Sequence, residues 1–369
     1  MITKEHVYRF RELVFIVTLP NYANEAAFMQ YKQDKPTISQ VAKLADVSKT
    51  TVSRYLNGRY EFMSELTRKR IQEVVEELEY RPNNLARSLK SNHSGLIGVV
   101  VADISSPFSS ILVKGIGDQC TKSGYHTIIA NTDNDPAREK EYIEALIDNR
   151  VEGLILNITG GNNDFILELG GQGIPIVLAD RAMLEIHFDT VTSNNYQMTY
   201  QTIEYLVRSG FREIGFFTEE IGVISSRRTR RQAFLDACEH HFRRNSEDWI
   251  RIVNPADQGE VQTSLLDFLA IGAGPRAVFA VNGVTMLSVA QAITSLSLAM
   301  PRDLGLCGYD DWGWASLVPP GITVISQPSY QVGIESAKRL IGRIQQKRNA
   351  KPKRIELPSS LVIRGSTRL

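Results

Sequence analysis

The sequence predicts two architectures in series: a small all-α helix-turn-helix unit, then a larger α/β body of parallel sheets flanked by helices. Three observations carry this. From Thr37 to Leu89 the apolar pattern is purely helical and locally basic. From Gly95 onward, short apolar strands alternate with amphipathic helices for the remainder. The length, 369 residues, calls for two or three domains at ~100–200 residues each.

A composition of 43 % hydrophobic and 22 % charged residues is that of a folded globular chain and excludes collagen, long coiled coils and wholesale disorder. The net charge is +1, so any nucleic-acid surface has to be local. The longest apolar runs, Leu13–Leu19 and Leu96–Ala102, fall far short of the ~18 residues that span a bilayer, and no membrane partner is expected. Cys120, Cys238 and Cys307 lie far apart, odd in number and outside any CxxC pattern. That usage fits small buried residues in a reducing cytoplasm.

At the start of the chain, Arg9 and Arg11 followed by Leu13–Leu19 look faintly like the charged and apolar parts of a signal peptide. Glu12 interrupts the boundary and no small-residue cleavage site follows. Residues 1–35 are therefore read as a loosely ordered extension, with Met29 an alternative start.

Thr37-Ile-Ser-Gln40 is a capping box, in which the Thr37 hydroxyl takes the Gln40 amide and the Gln40 side chain reaches back. Ile38, Val41, Ala42 and Ala45 then give one apolar face, and Asp46-Val47 makes the turn. Ser48 caps a second helix, Lys49 to Leu56, which closes at Asn57-Gly58 in the left-handed C-cap manner. Its outward face carries Lys49, Thr50, Ser53 and Arg54, the residue types that read base edges and grip phosphates. Lys43, Lys49, Arg54 and Arg59 face a single acid, Asp46, between Thr37 and Arg59. An ordinary capped helix pair would not need that asymmetry, so DNA recognition is the expectation, through Thr37, Ser48, Lys49, Thr50, Thr51, Ser53, Arg54 and Asn57. A third helix, Glu65 to Leu78 behind Ser64, closes the small core with Ile71, Val74, Val75 and Leu78.

Tyr80 to Leu89 is different. Pro82 suits the first turn of a helix, but Asn83–Leu89 is too short to stand alone in water. Leu85, Ala86 and Leu89 have no obvious partner in the segment. A plain linker and a helix ordered by something else both remain open.

In the body, Leu96–Val101, Thr127–Ala130, Gly153–Leu156, Pro175–Leu178, Ile214–Phe217, Ala277–Val281 and Leu304–Leu306 read as buried strands. Helices are expected at Phe108–Lys122, Arg138–Asn149, Gln197–Arg208, Arg230–Glu239, Thr285–Ser295 and Tyr330–Gln346. That many elements suit two α/β subdomains better than one. No GxGxxG follows a predicted strand, because Gly115-Ile-Gly117 falls inside a helix, so a nicotinamide-dependent dehydrogenase is disfavoured. There is no P-loop, no GxSxG elbow and no His, Cys or carboxylate cluster at metal spacing. Adjacent His240 and His241 point to different sides of a helix. No enzyme activity, cofactor or metal is expected.

The run from Thr37 to Gly58, together with Tyr80–Leu89, the α/β alternation and Gly308-Tyr-Asp-Asp311, closely resembles the LacI/GalR family of bacterial transcriptional repressors. The resemblance covers Thr37 to the C-terminus, about nine-tenths of the chain. It implies a cytoplasmic homodimer whose body is a two-lobed, periplasmic-binding-protein-like fold. A secreted solute-binding protein would share that body, and the helix-turn-helix opposes it. The resemblance also implies a hinge helix that folds on operator DNA, with Asn83, Ala86 and Arg87 at the minor groove and Leu89 as the wedge. The implied divisions are an extension (1–35), a DNA-binding domain (36–80), a hinge and linker (81–94), and an effector-binding and dimerisation domain (95–369). The first lobe would take about 95–192 plus 327–349, and the second about 193–326 plus 350–369.

In such a fold the effector lies between lobes, against the C-terminal ends of strands. Those ends present Phe108, Asn157, Asp180, Arg181, Ser226, Arg230, Asn282 and Asp310, with Trp312 and Trp314 close by. By resemblance Arg230 and Asp310 are the principal effector contacts, with Asn157, Asp180, Ser226, Asn282 and Gln327 next. Carboxylates, amides and aromatic faces suit a polyhydroxylated ligand. Arg181, Arg227, Arg228 and Arg230 add positive charge, which a guanidinium fork can turn to a carboxylate. Trp312-Gly-Trp314 looks like the branch of the family that senses gluconate, ketogluconate or ketodeoxygluconate. A sugar acid that weakens operator binding is the expected effector, with corepression the alternative sign. No C-terminal heptad repeat points to tetramers.

Overall fold

A computed structural model describes residues 6–10, 13–17, 36–80, 93–243, 246–271, 274–346 and 351–369, the first two stretches as backbone. The chain divides into two compact units, 1–91 and 92–369. Asn83, Ala86, Arg87 and Leu89, named above for the minor groove, lie outside the described residues.

In the first unit, strands β1 (His6–Phe10) and β2 (Leu13–Val17) pair antiparallel, a hairpin where the sequence suggested a loose extension. Three helices follow: α1 (Ile38–Leu44), α2 (Lys49–Leu56) and α3 (Glu65–Glu77). Their core is small. Val41, Ala45, Val52 and Ile71 are fully buried, and Ala42 and Val74 nearly so. Alanines at 42 and 45 let α1 and α2 approach closely, and Val47, Leu56, Val75 and Leu78 seal the rim.

The second unit holds two six-stranded sheets. The first is built from β3 (Leu96–Val101), β4 (His126–Asn131), β5 (Leu154–Leu156), β6 (Ile176–Ala179), β7 (Asp189–Ser193) and β13 (Arg354–Leu357). In space these run β13-β7-β6-β5-β3-β4, all parallel. The second is built from β8 (Glu213–Thr218), β9 (Ile250–Ile252), β10 (Arg276–Ala280), β11 (Gly305–Tyr309), β12 (Thr323–Ser326) and β14 (Ser360–Val362), in the order β14-β12-β11-β10-β8-β9. Only β14 is antiparallel there. Each sheet has an apolar cluster on both faces, which is why its central strands read as unbroken apolar runs.

Helices cover those faces: α4 (Pro107–Lys122), α5 (Pro136–Asp148), α6 (Asn163–Gly171) and α12 (Ser329–Gln346) on the first lobe, with α7 (Asn195–Arg208), α8 (Ser225–Phe242), α9 (Gln258–Ala270), α10 (Gly283–Ser295) and the short α11 (Trp314–Leu317) on the second. Gly115 on α4 and Gly333 on α12 mark a bare-backbone crossing. A Cβ at Gly115 would lie 2.2 Å from the Tyr330 carbonyl oxygen, and one at Gly333 2.2 Å from that of Leu112. Gly115 therefore serves helix packing.

The chain passes between the lobes after Ser193, after Ser326, and between Leu357 and Ser360. The last passage corrects the expectation that residues 350–369 belong as a block to the second lobe. Arg354–Leu357 pairs with β7, and the Asp189 carboxylate anchors that edge by accepting from the Lys353 amide (2.8 Å) and Arg343 Nε (2.8 Å).

Candidate functional site

On the first unit, the capping box forms. Thr37 Oγ1 accepts from the Gln40 amide (3.3 Å) and the Gln40 side chain accepts from the Thr37 amide (2.7 Å). Ser48 accepts from the Thr51 amide (3.1 Å), and the two hydroxyls share a bond of 2.9 Å. Thr51 is thus drawn into the cap and half-buried, whereas Lys49, Thr50 and Arg54 stand exposed on one side of α2. Ser53 is half-buried beneath Asn57, whose Nδ2 donates to its carbonyl at 2.7 Å. At the C-cap, Gly58 takes the left-handed backbone (φ +68°) and Asn57 stays at φ −97°. The product is a short, capped, basic helix with its polar side chains free to enter a groove, and Val52 beneath it sets its height on the core.

Between the two lobes of the second unit, one cleft gathers the strand ends. Phe108, Asn157, Asp180, Arg181, Ser226, Arg230, Asn282, Asp310, Trp312 and Gln327 all line it. Two carboxylates reach it by the same device. Asp180 follows β6 and Asp310 follows β11, each at positive φ (+65° and +80°). Each keeps its amide bonded across to the next strand, Asp180 to the Val191 carbonyl and Asp310 to that of Ile325. A left-handed residue at the strand end re-aims the side chain, and Asp tolerates that backbone better than most.

Arg230 is the keystone, 4 % exposed. Its Nε donates to Asn195 Oδ1 (2.8 Å), Nη1 to the Val281 carbonyl (2.6 Å) and Nη2 to Gln327 Oε1 (3.0 Å), and its guanidinium lies 3.5 Å above the Tyr309 ring. Gln327 accepts also from Ser193 Oγ (2.7 Å) and donates to Asp310 (2.7 Å). Asp310 accepts further from the Gly283 amide (3.0 Å). The network joins residues from both lobes.

Burial pushes the Asp180 and Asp310 carboxyls above their ordinary range, and Arg230 is the strongest influence opposing that shift in each. Burial likewise raises the Tyr309 phenol. Asn157 donates to the Ala179 carbonyl (3.0 Å) and to Asp180 (3.3 Å). Asn282 caps α10 by accepting from the Thr285 amide (2.9 Å), while its Nδ2 donates to Glu219.

Trp312 lies against Gly283, where a Cβ would come within 2.6 Å of its ring. Trp314, grouped with it on sequence, instead packs on the apolar core of the second lobe. Arg228 lines a neighbouring groove, with Arg354 and Glu356, and is absent from the cleft wall. Sequence reasoning passed over Glu219 as a site residue. It follows β8 directly and pairs with Arg227, and its position after a strand was the available signal. Ser193 and Asn195 were missed because β7, Asp-Thr-Val-Thr-Ser, has no apolar run although every residue is buried.

Family comparisons agree with this geometry. The description "Bacterial regulatory proteins, lacI family" matches residues 37–83, and "Periplasmic binding protein-like domain" matches residues 203–367. The HTH-type transcriptional regulator KdgR of Bacillus subtilis is 37 % identical over 333 residues, covering 89 % of this chain and 97 % of that protein. PtxS of Pseudomonas putida, another HTH-type transcriptional regulator, is 37 % identical over 338 residues, 91 % and 97 % of the two chains. Among solved structures, the Lac repressor dimer bound to operator and the anti-inducer ONPF superposes with a TM-score of 0.80 at 24 % identity, over 90 % of this chain and 99 % of that one. Among the described residues no helix is long and apolar enough to cross a membrane. The chain is a transcriptional regulator, and it belongs to the lacI family of bacterial regulatory proteins.

Proposed function

We propose that this regulator is a cytoplasmic homodimeric repressor that grips a near-palindromic operator and releases it when a sugar acid occupies the interlobe cleft. The observation that carries the reading is the convergence of ten side chains, drawn from both lobes, on one cleft. Carboxylates and amides there match hydroxyl groups, Phe108 and Trp312 offer faces for the C–H side of a sugar, and guanidinium groups offer partners for an acid. A dimer is supported by exposed apolar residues on outer edge strands, Ile129 on β4 and Ile252 on β9, and by Leu317.

Lys49, Thr50, Ser53 and Arg54 would read the major groove, with Thr37, Ser48, Thr51 and Asn57 holding the helix and its phosphates. Asn83, Ala86, Arg87 and Leu89 would form the minor-groove hinge, in which Leu89 separates a base step. Replacement Leu89→Ala then weakens operator binding and leaves ligand affinity unchanged; unchanged operator affinity removes the wedge. Release follows from linkage: a ligand that favours one lobe arrangement shifts operator affinity by its differential binding, typically ~1–3 kcal/mol.

The direct test is a thermal-shift screen of the purified protein against gluconate, ketogluconate, ketodeoxygluconate, neutral sugars and purines. Stabilisation by one of the acids alone is expected. Stabilisation by a neutral sugar or a purine in their place overturns the ligand assignment.

A further inference from the structure

We infer that the acid group of the ligand is held between the lobes by Arg181 and Arg227, one guanidinium from each, so that the carboxylate itself ties the cleft shut; this rests on the sugar-acid reading above. The sequence places four arginines near the cleft, Arg181, Arg227, Arg228 and Arg230, and their surroundings separate them. Arg230 is committed to Asn195, Val281 and Gln327 and stacked on Tyr309. Arg228 is exposed, donates to the Gly222 carbonyl and lines the neighbouring groove.

Arg181 and Arg227 remain. Arg181 sits just after β6 on the first lobe, Arg227 in the first turn of α8 on the second, and both line the cleft. Arg181 donates Nη1 to the Ile158 carbonyl (3.1 Å) and Nη2 to Asn134 Oδ1 (2.9 Å), both neutral acceptors. A guanidinium has five N–H groups, so three of its donors are left for a ligand. Arg227 is fixed by Glu219 and by the Glu220 carbonyl, and Glu219 is itself held by Asn282. Burial lowers the Arg181 pKa; Asp180 opposes the shift, and the charge on Arg227 adds to it.

Two like charges therefore line one cleft from opposite lobes. Glu219 offsets one of them. Asp180 and Asp310 feel Arg230 ahead of any other cation, and Asp180 is also the first acid that Arg181 feels. Arg181 keeps donors open to the cleft, and one ligand carboxylate can accept from it and from Arg227 together. A neutral sugar would fill the same hydroxyl contacts while leaving the two guanidinium groups in repulsion. The acid group would thus select the ligand and drive closure together.

The test is titration calorimetry on the full-length protein with the tightest of the three sugar acids and with its carboxyl-reduced alcohol. The wild type is expected to prefer the acid at least tenfold. Arg181→Gln and Arg227→Gln should each cut acid affinity about 10- to 100-fold, the span for losing a hydrogen bond to a charged group, with alcohol affinity nearly unchanged. Arg228→Gln should leave both affinities alone. The double variant should lose less than the product of the single losses, because the two share one carboxylate.

If the alcohol still binds, a fold defect is excluded. Arg181→Lys and Arg227→Lys, which keep charge without the fork, should restore part of the preference. A wild type that prefers the acid, with variants that keep that preference, overturns the clamp and leaves the sugar-acid reading standing. Losses that simply multiply overturn the shared grip. A wild type indifferent to the acid group overturns both readings.

Discussion

Asp180 and Asp310 end equivalent strands of two lobes and face the same arginine, so their protonation reports on the cleft. Burial raises both carboxyls, which means the native state takes up protons before an unfolded chain does. The resulting stability is present in full below the ordinary carboxylate pKa and is lost as pH rises through the folded-state value. Asp310→Asn removes one of these groups. The stability difference between wild type and variant should favour the wild type most at low pH and shrink as pH rises above the ordinary carboxylate value of about 4, measured by urea unfolding. A difference that grows with pH contradicts the assignment. At this scale the sequence was informative about position and silent about partners. Strand ends and the loops after them gave eight of the ten cleft residues from chain position alone, Trp312 came as an aromatic neighbour, and Gln327 came by family resemblance. It could not tell that Arg230 is spent on Asn195, Val281 and Gln327, or that Trp314 turns into the core while Trp312 stays in the cleft. Rotamer and neighbour decide those, and neither is written in local sequence.

Two helical elements give sharper tests. The crossing of α4 and α12 depends on bare backbone at Gly115, so Gly115→Ala should destabilise the body by about 1–3 kcal/mol or more through overpacking. A Cβ at Gly117, two residues further along α4, would meet nothing within 4 Å, and Gly117→Ala should be neutral or stabilise by up to about 1 kcal/mol. Equal effects at the two sites would refute the crossing. On α2, Ser48→Ala removes the cap on the Thr51 amide and should cost about 1 kcal/mol, read as faster hydrogen exchange of the α2 amides in the full-length protein. Ser48→Asp should restore it. Exchange unchanged in the alanine variant would show that the cap is not what holds α2. Elements with long apolar runs or strong caps were the legible ones. Those that escaped were β7, whose buried side chains are mostly hydroxyls and a carboxylate, the four-residue β12, the short edge strands β9, β13 and β14, and helices α6, α9 and the short α11. Periodicity registers apolar side chains, and these segments are held by hydrogen bonds or by one apolar stripe.

For the whole molecule, the texture change near residue 90 announced two units, and the βα alternation announced two lobes. The third passage between lobes was misplaced because Arg354–Leu357 is a peripheral strand whose place depends on Asp189 far away in sequence. Family membership fixes the class of activity, and the proposed function couples the two units: α2 would hold operator DNA, and a ligand in the body would loosen that hold. Fluorescence anisotropy with a promoter fragment selected by the protein, in moderate salt with excess bulk competitor DNA, tests this most directly. The expected result is tight, competitor-resistant binding that a saturating sugar acid weakens by about 5- to 150-fold. Binding no stronger than to bulk DNA, or binding tightened by the acid, would contradict it.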